Sequence, residues 1–203
     1  MLPAGRPVTQ YLPPGSPGYR NVGLYGVHPD LARARKLAGR GRHHAVLVTC
    51  SKAPCPQWGA IIRDDLRKIG IGVTVVESAD FFPKEPYDLH FLFWGPDYPD
   101  PANVLNPLLL GNQSPPRGVN FSYFDNPVYN RRLEAAAELT GPAREAAYAR
   151  LDADLTGKEA PMIAFDSLFA RDLFSARMGC QIYQPQYGMD LAALCVRRPA
   201  GGA

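Results

Sequence analysis

The stretch AVLVTCSKAPCPQWGAIIRDDLRKIGIGVTVVE, residues 45–77, decides the fold. Its ends, AVLVT (45–49) and VTVVE (73–77), are short apolar runs rich in β-branched residues. Between them, PQWGAIIRDDLRKIG (56–70) repeats Trp58, Ile62, Leu66 and Ile69 at helical spacing. Arg67 and Lys68 stand where cations favour the negative helix end, and Gly70 suits the left-handed cap. Two short apolar strands joined by such a helix imply parallel pairing through a right-handed crossover. The chain is therefore α/β, with helices expected on both faces of its sheet.

On the carboxyl side, DLHFLFW (88–94) predicts a third strand. Its apolar residues do not alternate with polar ones, as expected where a sheet is covered on both faces. It breaks into GPDYPDP (95–101), and in open α/β sheets ligands sit beyond the carboxyl ends of the strands. Asp97, with Trp94 before it and Tyr98 after it, suits a cationic amine whose neighbouring group is apolar. The competing roles are structural: an acid in a proline-rich loop often bonds nearby backbone N–H groups, and Trp94 could seal the end of the sheet. Asp100 before Pro101 is a helix N-cap, opening a short helix through about Leu109.

The remaining pattern is mostly helical. Pro29 begins a helix with Leu31, Ala34 and Leu37 on one face. Asn126-Pro127 starts another with Tyr129, Leu133, Ala136 and Thr140 in register. Gly141-Pro142 ends that helix and starts a third carrying Ala147, Tyr148, Leu151 and Leu155. The runs MIAF (162–165) and LFARDLF (168–174) read as strands, and the terminal AGGA as frayed. Residues 1–27, rich in Pro, Gly and Tyr, form an extended connection packed on a surface rather than a solvated linker.

Bulk properties exclude several classes. The 203 residues are 46% hydrophobic and 20% charged, as in a globular protein with an ordinary core. A net charge of +3 and a basic cluster limited to Arg33, Arg35, Lys36, Arg40 and Arg42 describe a solvated helix face, so nucleic acid is not an expected partner. No apolar run reaches the about 18 residues of a membrane span, and MLPAGRPVTQ has no apolar core of a signal peptide. The four cysteines lie as two local pairs, Cys50 with Cys55 and Cys180 with Cys195. Such spacing favours disulfides in an oxidising compartment without fixing their connectivity. Paired cysteines without a leader suggest an incomplete chain.

Several segments together resemble one family. WGPDYPDPANVLNPLL is similar to the loop of the extracytoplasmic solute-binding proteins of peptide-type ABC transporters, the oligopeptide-, dipeptide- and nickel-binding proteins called solute-binding family 5. DLARARKLAG, LRKIGIGV, NPVYNRRLEAA, AREAAYARLDADL and EAPMIAF agree in order over nearly the whole chain. TCSKAPCP and GCQIYQPQYGMDLAALC resemble an actinobacterial branch, in which the two local pairs would be disulfides outside the cell.

The resemblance implies one lobe of a two-lobed, type II periplasmic-binding-protein-like fold with a mixed sheet. Residues 1–27 would arrive from a missing first lobe, 28–176 would form the carboxyl-terminal lobe, and 177–203 would return, leaving Ile182, Tyr183 and Leu191 without a complete partner. It implies that the acid matching Asp97 holds a peptide's α-amino group and that the tryptophan matching Trp94 lines the same pocket. The first lobe, signal peptide and lipid-anchoring cysteine have no counterpart here. The sequence departs from the pattern at Phe93, where glycine is usual, and at Pro96, where a small residue is usual. The implied partners are a small solute, foremost a peptide, the permease subunits and the first lobe; no cofactor is implied.

Enzymatic alternatives are weaker. His43, His44, Cys50 and Cys55 are zinc-ligand types in no standard spacing. A glycosidase-like pair of Asp97 and Asp100 conflicts with the capping role of Asp100. No GxSxG, P-loop or HExxH pattern occurs. A lobe without independent binding activity is the other alternative, because half a cleft excludes little water.

Overall fold

The computed structural model describes residues 4–26, 28–80, 86–169, 172–184 and 188–197. The chain divides into two units, Gly26–Phe93 and the remainder, residues 1–25 with 94–203.

In the first of these, α1 (Leu31–Ala38) is capped by Asp30, whose carboxylate accepts from the Arg33 N–H. Pro29 thus precedes the cap rather than opening the helix. None of the residues of α1 is buried, and the Leu31–Ala34–Leu37 face does not become core. The sheet then forms from β2 (His43–Cys50), β3 (Ile71–Ser78) and β4 (Leu89–His90) in the order β3-β2-β4, all parallel. β2 is central, and its Leu47, Val48 and Thr49 are buried.

Between β2 and β3 runs α2 (Cys55–Arg67), with Gly70 at φ 90° closing it as expected. Ile62 and Leu66 share its half-buried face, and Ile69, two residues past its end, is also half-buried. The closest approach falls on Gly59, where a Cβ would lie 3.1 Å from a Val75 methyl and 3.5 Å from Thr49. The missing side chain lets the helix settle on β2 and β3. Cys50 and Cys55 are joined by a disulfide across the turn between β2 and α2.

The third strand is shorter than the apolar run predicts. β4 pairs Leu89 with Leu47 and His90 with Val48, with flanking bonds from Asp88 N to Val46 O and from Phe91 N to Val48 O. Continued in that register, Leu92 would meet Cys50, the last residue of β2. Phe93 and Trp94 therefore lie beyond the last residue of β2.

The second unit is mainly helical. α3 (Ala102–Leu109), α4 (Pro127–Ala137) and α5 (Gly141–Asp154) contribute Leu105, Leu109, Leu133, Tyr148 and Leu151 to its core, joined by Leu155 of the following π-turn and Leu12 of the amino-terminal segment. Asn126 caps α4 as expected, accepting from Val128 N. Asn120, wholly buried, donates to Leu110 O and Phe124 O and so ties the chain after α3 to the approach to α4.

β1 (Ala4–Pro7) pairs antiparallel with β5 (Asp166–Phe169). The strand expected at Met162–Phe165 is displaced to Asp166. Met162 is held instead by the Tyr11 hydroxyl, which donates to its carbonyl and accepts from its N–H, replacing a strand ladder. The expected strand over 168–174 survives only in Leu168 and Phe169; residues 170–171 and the AGGA tail lie outside the described residues. Farther on, β6 (Met178–Gly179) pairs with β9 (Cys195–Val196) and β7 (Tyr183–Gln184) with β8 (Gly188–Met189), both antiparallel. A second disulfide joins Cys180 to Cys195. Ile182, Tyr183 and Leu191 are exposed.

Candidate functional site

The three residues singled out for ligand binding, Trp94, Asp97 and Tyr98, lie together on the loop that enters α3. One residue of that helix organises the loop. Asn103 is only 7% exposed, its side-chain oxygen accepts from the Asp97 N–H at 2.6 Å, and its carbonyl accepts from the Trp94 indole N–H at 2.7 Å. A buried residue whose side-chain oxygen holds the Asp97 N–H and whose backbone carbonyl holds the Trp94 indole fixes both at once.

The far end of the loop is held by Asp100. Its carboxylate accepts from the Ala102 N–H at 2.8 Å, while the cap position of α3 falls on Pro101, one residue later than expected. It also takes the Arg144 guanidinium bidentately, Nε and Nη2 each at 2.8 Å. Burial pushes the Asp100 carboxyl up, but the Arg144 hydrogen bonds, the Ala102 amide and the Arg144 charge outweigh it and hold it below the usual range. Arg144 further donates to the carbonyls of Ala136, Ala137 and Leu139 at the end of α4. Its guanidinium stands 5.2 Å from the centroid of the Tyr148 ring, and the Tyr148 hydroxyl donates to Asn106 of α3. The Asp100–Arg144 pair belongs to the framework, which leaves no glycosidase-like role for Asp100.

Between these anchors the Asp97 side chain is exposed, and among the described residues its carboxylate has no hydrogen-bond or ionic partner. The turn-making role available to it in sequence is therefore not the one it plays: its N–H, not its carboxylate, makes the local contact. Tyr98 is half exposed and Trp94 half buried. A fixed backbone, a free carboxylate and two aromatic rings can pair with a cation and cover an apolar neighbour.

Of the zinc-ligand types, Cys50 and Cys55 are joined in a disulfide and offer no thiolate. Among the described residues no group of three His, Cys, Asp or Glu side chains is placed to hold a metal ion.

No family model and no curated protein sequence matches the chain. Solved structures do. HbpA2 from Haemophilus parasuis superposes with a TM-score of 0.73 at 18% identity, over 96% of this chain and 40% of that one. A dipeptide binding protein from Pseudoalteromonas sp. SM9913, solved with Met-Leu, gives 0.70 at 19% identity, over 95% and 40%. DppA from Helicobacter pylori, a periplasmic binding protein associated with an ABC transporter and solved with the peptide STSA, gives 0.68 at 20%, over 96% and 40%. The chain spans about 40% of the length of these structures and shares their fold: it has the α/β architecture of one lobe of a two-lobed, type II periplasmic-binding-protein-like molecule.

Proposed function

We propose that this chain is the carboxyl-terminal lobe of an extracytoplasmic solute-binding protein serving a peptide-type ABC importer, and that Asp97 receives the amino group of a small peptide. The carrying observation is the exposed Asp97 carboxylate, without a protein partner among the described residues, on a backbone that Asn103 fixes. Trp94 and Tyr98 would cover the residue that bears the amine. The activity is binding and delivery to permease subunits, with no chemical change to the solute. Residues 1–27 would enter from the first lobe, 28–176 would build the carboxyl-terminal lobe, and 177–203 would return. Two disulfides suit an oxidising, extracytoplasmic compartment.

In the two-lobed protein, Asp97→Asn is expected to weaken a free-amine dipeptide by about 10- to 100-fold, the loss of a charge-assisted hydrogen bond. The N-acetylated dipeptide should lose no more than about threefold, since its terminus carries no charge to pair. Calorimetric titration of both ligands checks this, and equal losses would make the acid structural.

The 203-residue chain by itself carries one side of such a cleft. Its affinity for short peptides is expected in the millimolar range, because half the contacts are missing and water is poorly excluded. Micromolar or tighter binding by the isolated chain would contradict this division of labour between lobes.

A further inference from the structure

The Gly26–Phe93 unit carries a concentration of positive charge that its own fold leaves uncompensated. From Leu31 to Arg63 the chain contains no acidic residue, while Arg33, Arg35, Lys36, Arg40 and Arg42 follow one another closely. All five are exposed. Among the described residues none of them forms an ion pair. Arg35 donates from Nε to a neutral acceptor, the Lys68 carbonyl. The acids of α2 are already engaged, Asp64 with Arg63 and Arg67 and Asp65 with Lys68.

The geometry of α1 adds an apolar element to this charge. Leu31, Ala34 and Ala38 form its half-buried side. The other side carries Arg33, Lys36 and Leu37, and Leu37 is 77% exposed with Arg33 one helical turn before it. Gly39 and Gly41, at φ 78° and 126°, end the helix and turn the chain into β2, so that Arg40 and Arg42 follow within the same short turn.

The combination discriminates among anions. A helix face built only for water gains nothing from a leucine at that exposure. A nucleic acid presents phosphates with no apolar layer behind them. A bilayer of anionic lipid offers both, a charged surface that attracts each Lys or Arg and an acyl boundary beneath it.

We propose that α1 and the turn after it dock on an anionic lipid surface. Arg33, Lys36, Arg40 and Arg42 stand at the headgroups, and Leu37 inserts at the acyl boundary. The contact is peripheral and reversible, since one leucine on an eight-residue helix buries little apolar area. It lies wholly within one unit and holds whether or not Asp97 receives an amine.

Co-sedimentation of the 203-residue chain with large vesicles at low salt tests this. The chain is expected to sediment with vesicles that are one-third phosphatidylglycerol and to stay in solution with pure phosphatidylcholine. Sodium chloride at about 0.5 M should release it, because the Debye length then falls below about 5 Å. The double variant Arg33→Gln, Lys36→Gln should lower the partition coefficient by about 10- to 30-fold, the loss of two cations beside an anionic surface. Leu37→Gln, which keeps every charge, should lower it by about fivefold. The double variant Arg131→Gln, Arg150→Gln removes the same charge from exposed positions of α4 and α5 and should cost less than about twofold. All of these positions are exposed, and circular dichroism checks that each variant is folded. Failure to bind the anionic vesicles refutes the proposal, as does equal binding to phosphatidylcholine. Equal losses in the two double variants also refute it, since net charge would then suffice. If Leu37→Gln binds like the parent, the patch reads charge alone, and a soluble polyanion replaces the bilayer as its partner.

Discussion

Asp152→Ala is expected to destabilise the helical unit by about 3 kcal/mol, the cost of leaving two to three buried donors without an acceptor. Asp152 is wholly buried on α5. Its carboxylate accepts from the Gln10 side chain at 3.0 Å, from the Tyr11 N–H at 2.9 Å and, more loosely, from the Thr156 hydroxyl at 3.4 Å. Through those bonds it clamps a segment 141 residues away in sequence, and that segment carries Leu12 into the core. Asp152→Asn keeps the Tyr11 contact but turns an amide toward the amide of Gln10, whose oxygen already accepts from the Val22 N–H. Its cost should be smaller, about 1 kcal/mol. Urea unfolding of both variants checks the order, and a neutral Asp152→Ala would show that the clamp contributes nothing.

The same residue makes a pH prediction. Burial raises the Asp152 carboxyl above its ordinary range, against the opposing pull of Gln10, the Tyr11 and Leu12 amides and Thr156. A carboxyl raised on folding adds stability fully only below its unfolded pKa and loses that contribution as pH rises through the folded value. Two other acids run the opposite way. Asp154 is held low by its hydrogen bond to Lys158, then by Arg132, and Asp100 is held low on balance by Arg144. Their stabilisation is present above the unfolded value and is lost as pH falls through the folded ones. Acidification therefore returns some stability at Asp152 while removing it at Asp100 and Asp154. Between neutral pH and pH about 4 the melting temperature of Asp152→Asn should fall further than that of the parent, because only the losses remain. Parallel curves would show that Asp152 does not titrate with folding.

What could be read before the structure was known depended on how locally each feature is encoded. The β2–α2–β3 unit declares itself because its periodicities, its Gly70 cap and its closing pair Cys50–Cys55 all lie within 36 residues of chain, from His43 to Ser78. The third strand is shorter than its apolar run because such a run records burial, not the presence of a neighbour, and β2 stops at Cys50. The candidate ligand residues were legible as a carboxylate between rings. What holds them was not. Asn103 sits in ANVLNPLL, where a polar residue in an apolar helix is a signal of a buried contact, but nothing names the contact as Trp94 and Asp97. Arg144 meets Asp100 across 44 residues, and from sequence Asp100 already had a sufficient role as a cap. A residue with one adequate explanation conceals a second.

That second role carries a large expected effect. Arg144→Ala should cost about 3 kcal/mol, because it strands a mostly buried carboxylate and three carbonyls at the end of α4 together. For a unit of this size the melting temperature should fall by about 6–10 °C. Arg144→Lys should recover less than half of the loss, since an ammonium cannot match both carboxylate oxygens and the α4 carbonyls from one plane. Asp100→Asn, which retains an oxygen for the Ala102 N–H, should cost about 1 kcal/mol. A double-mutant cycle between positions 100 and 144 should give a coupling of more than about 1 kcal/mol, well above that of an exposed ion pair. The damage should also reach the loop. Asp100 is its downstream anchor, so in Arg144→Ala the Trp94 indole N–H should exchange faster with solvent than in the parent, although Arg144 and Trp94 share no hydrogen bond among the described residues. If Arg144→Ala melts like the parent and leaves that exchange unchanged, Asp100 is a cap and nothing more, and the loop that presents Asp97 owes its shape to Asn103 alone.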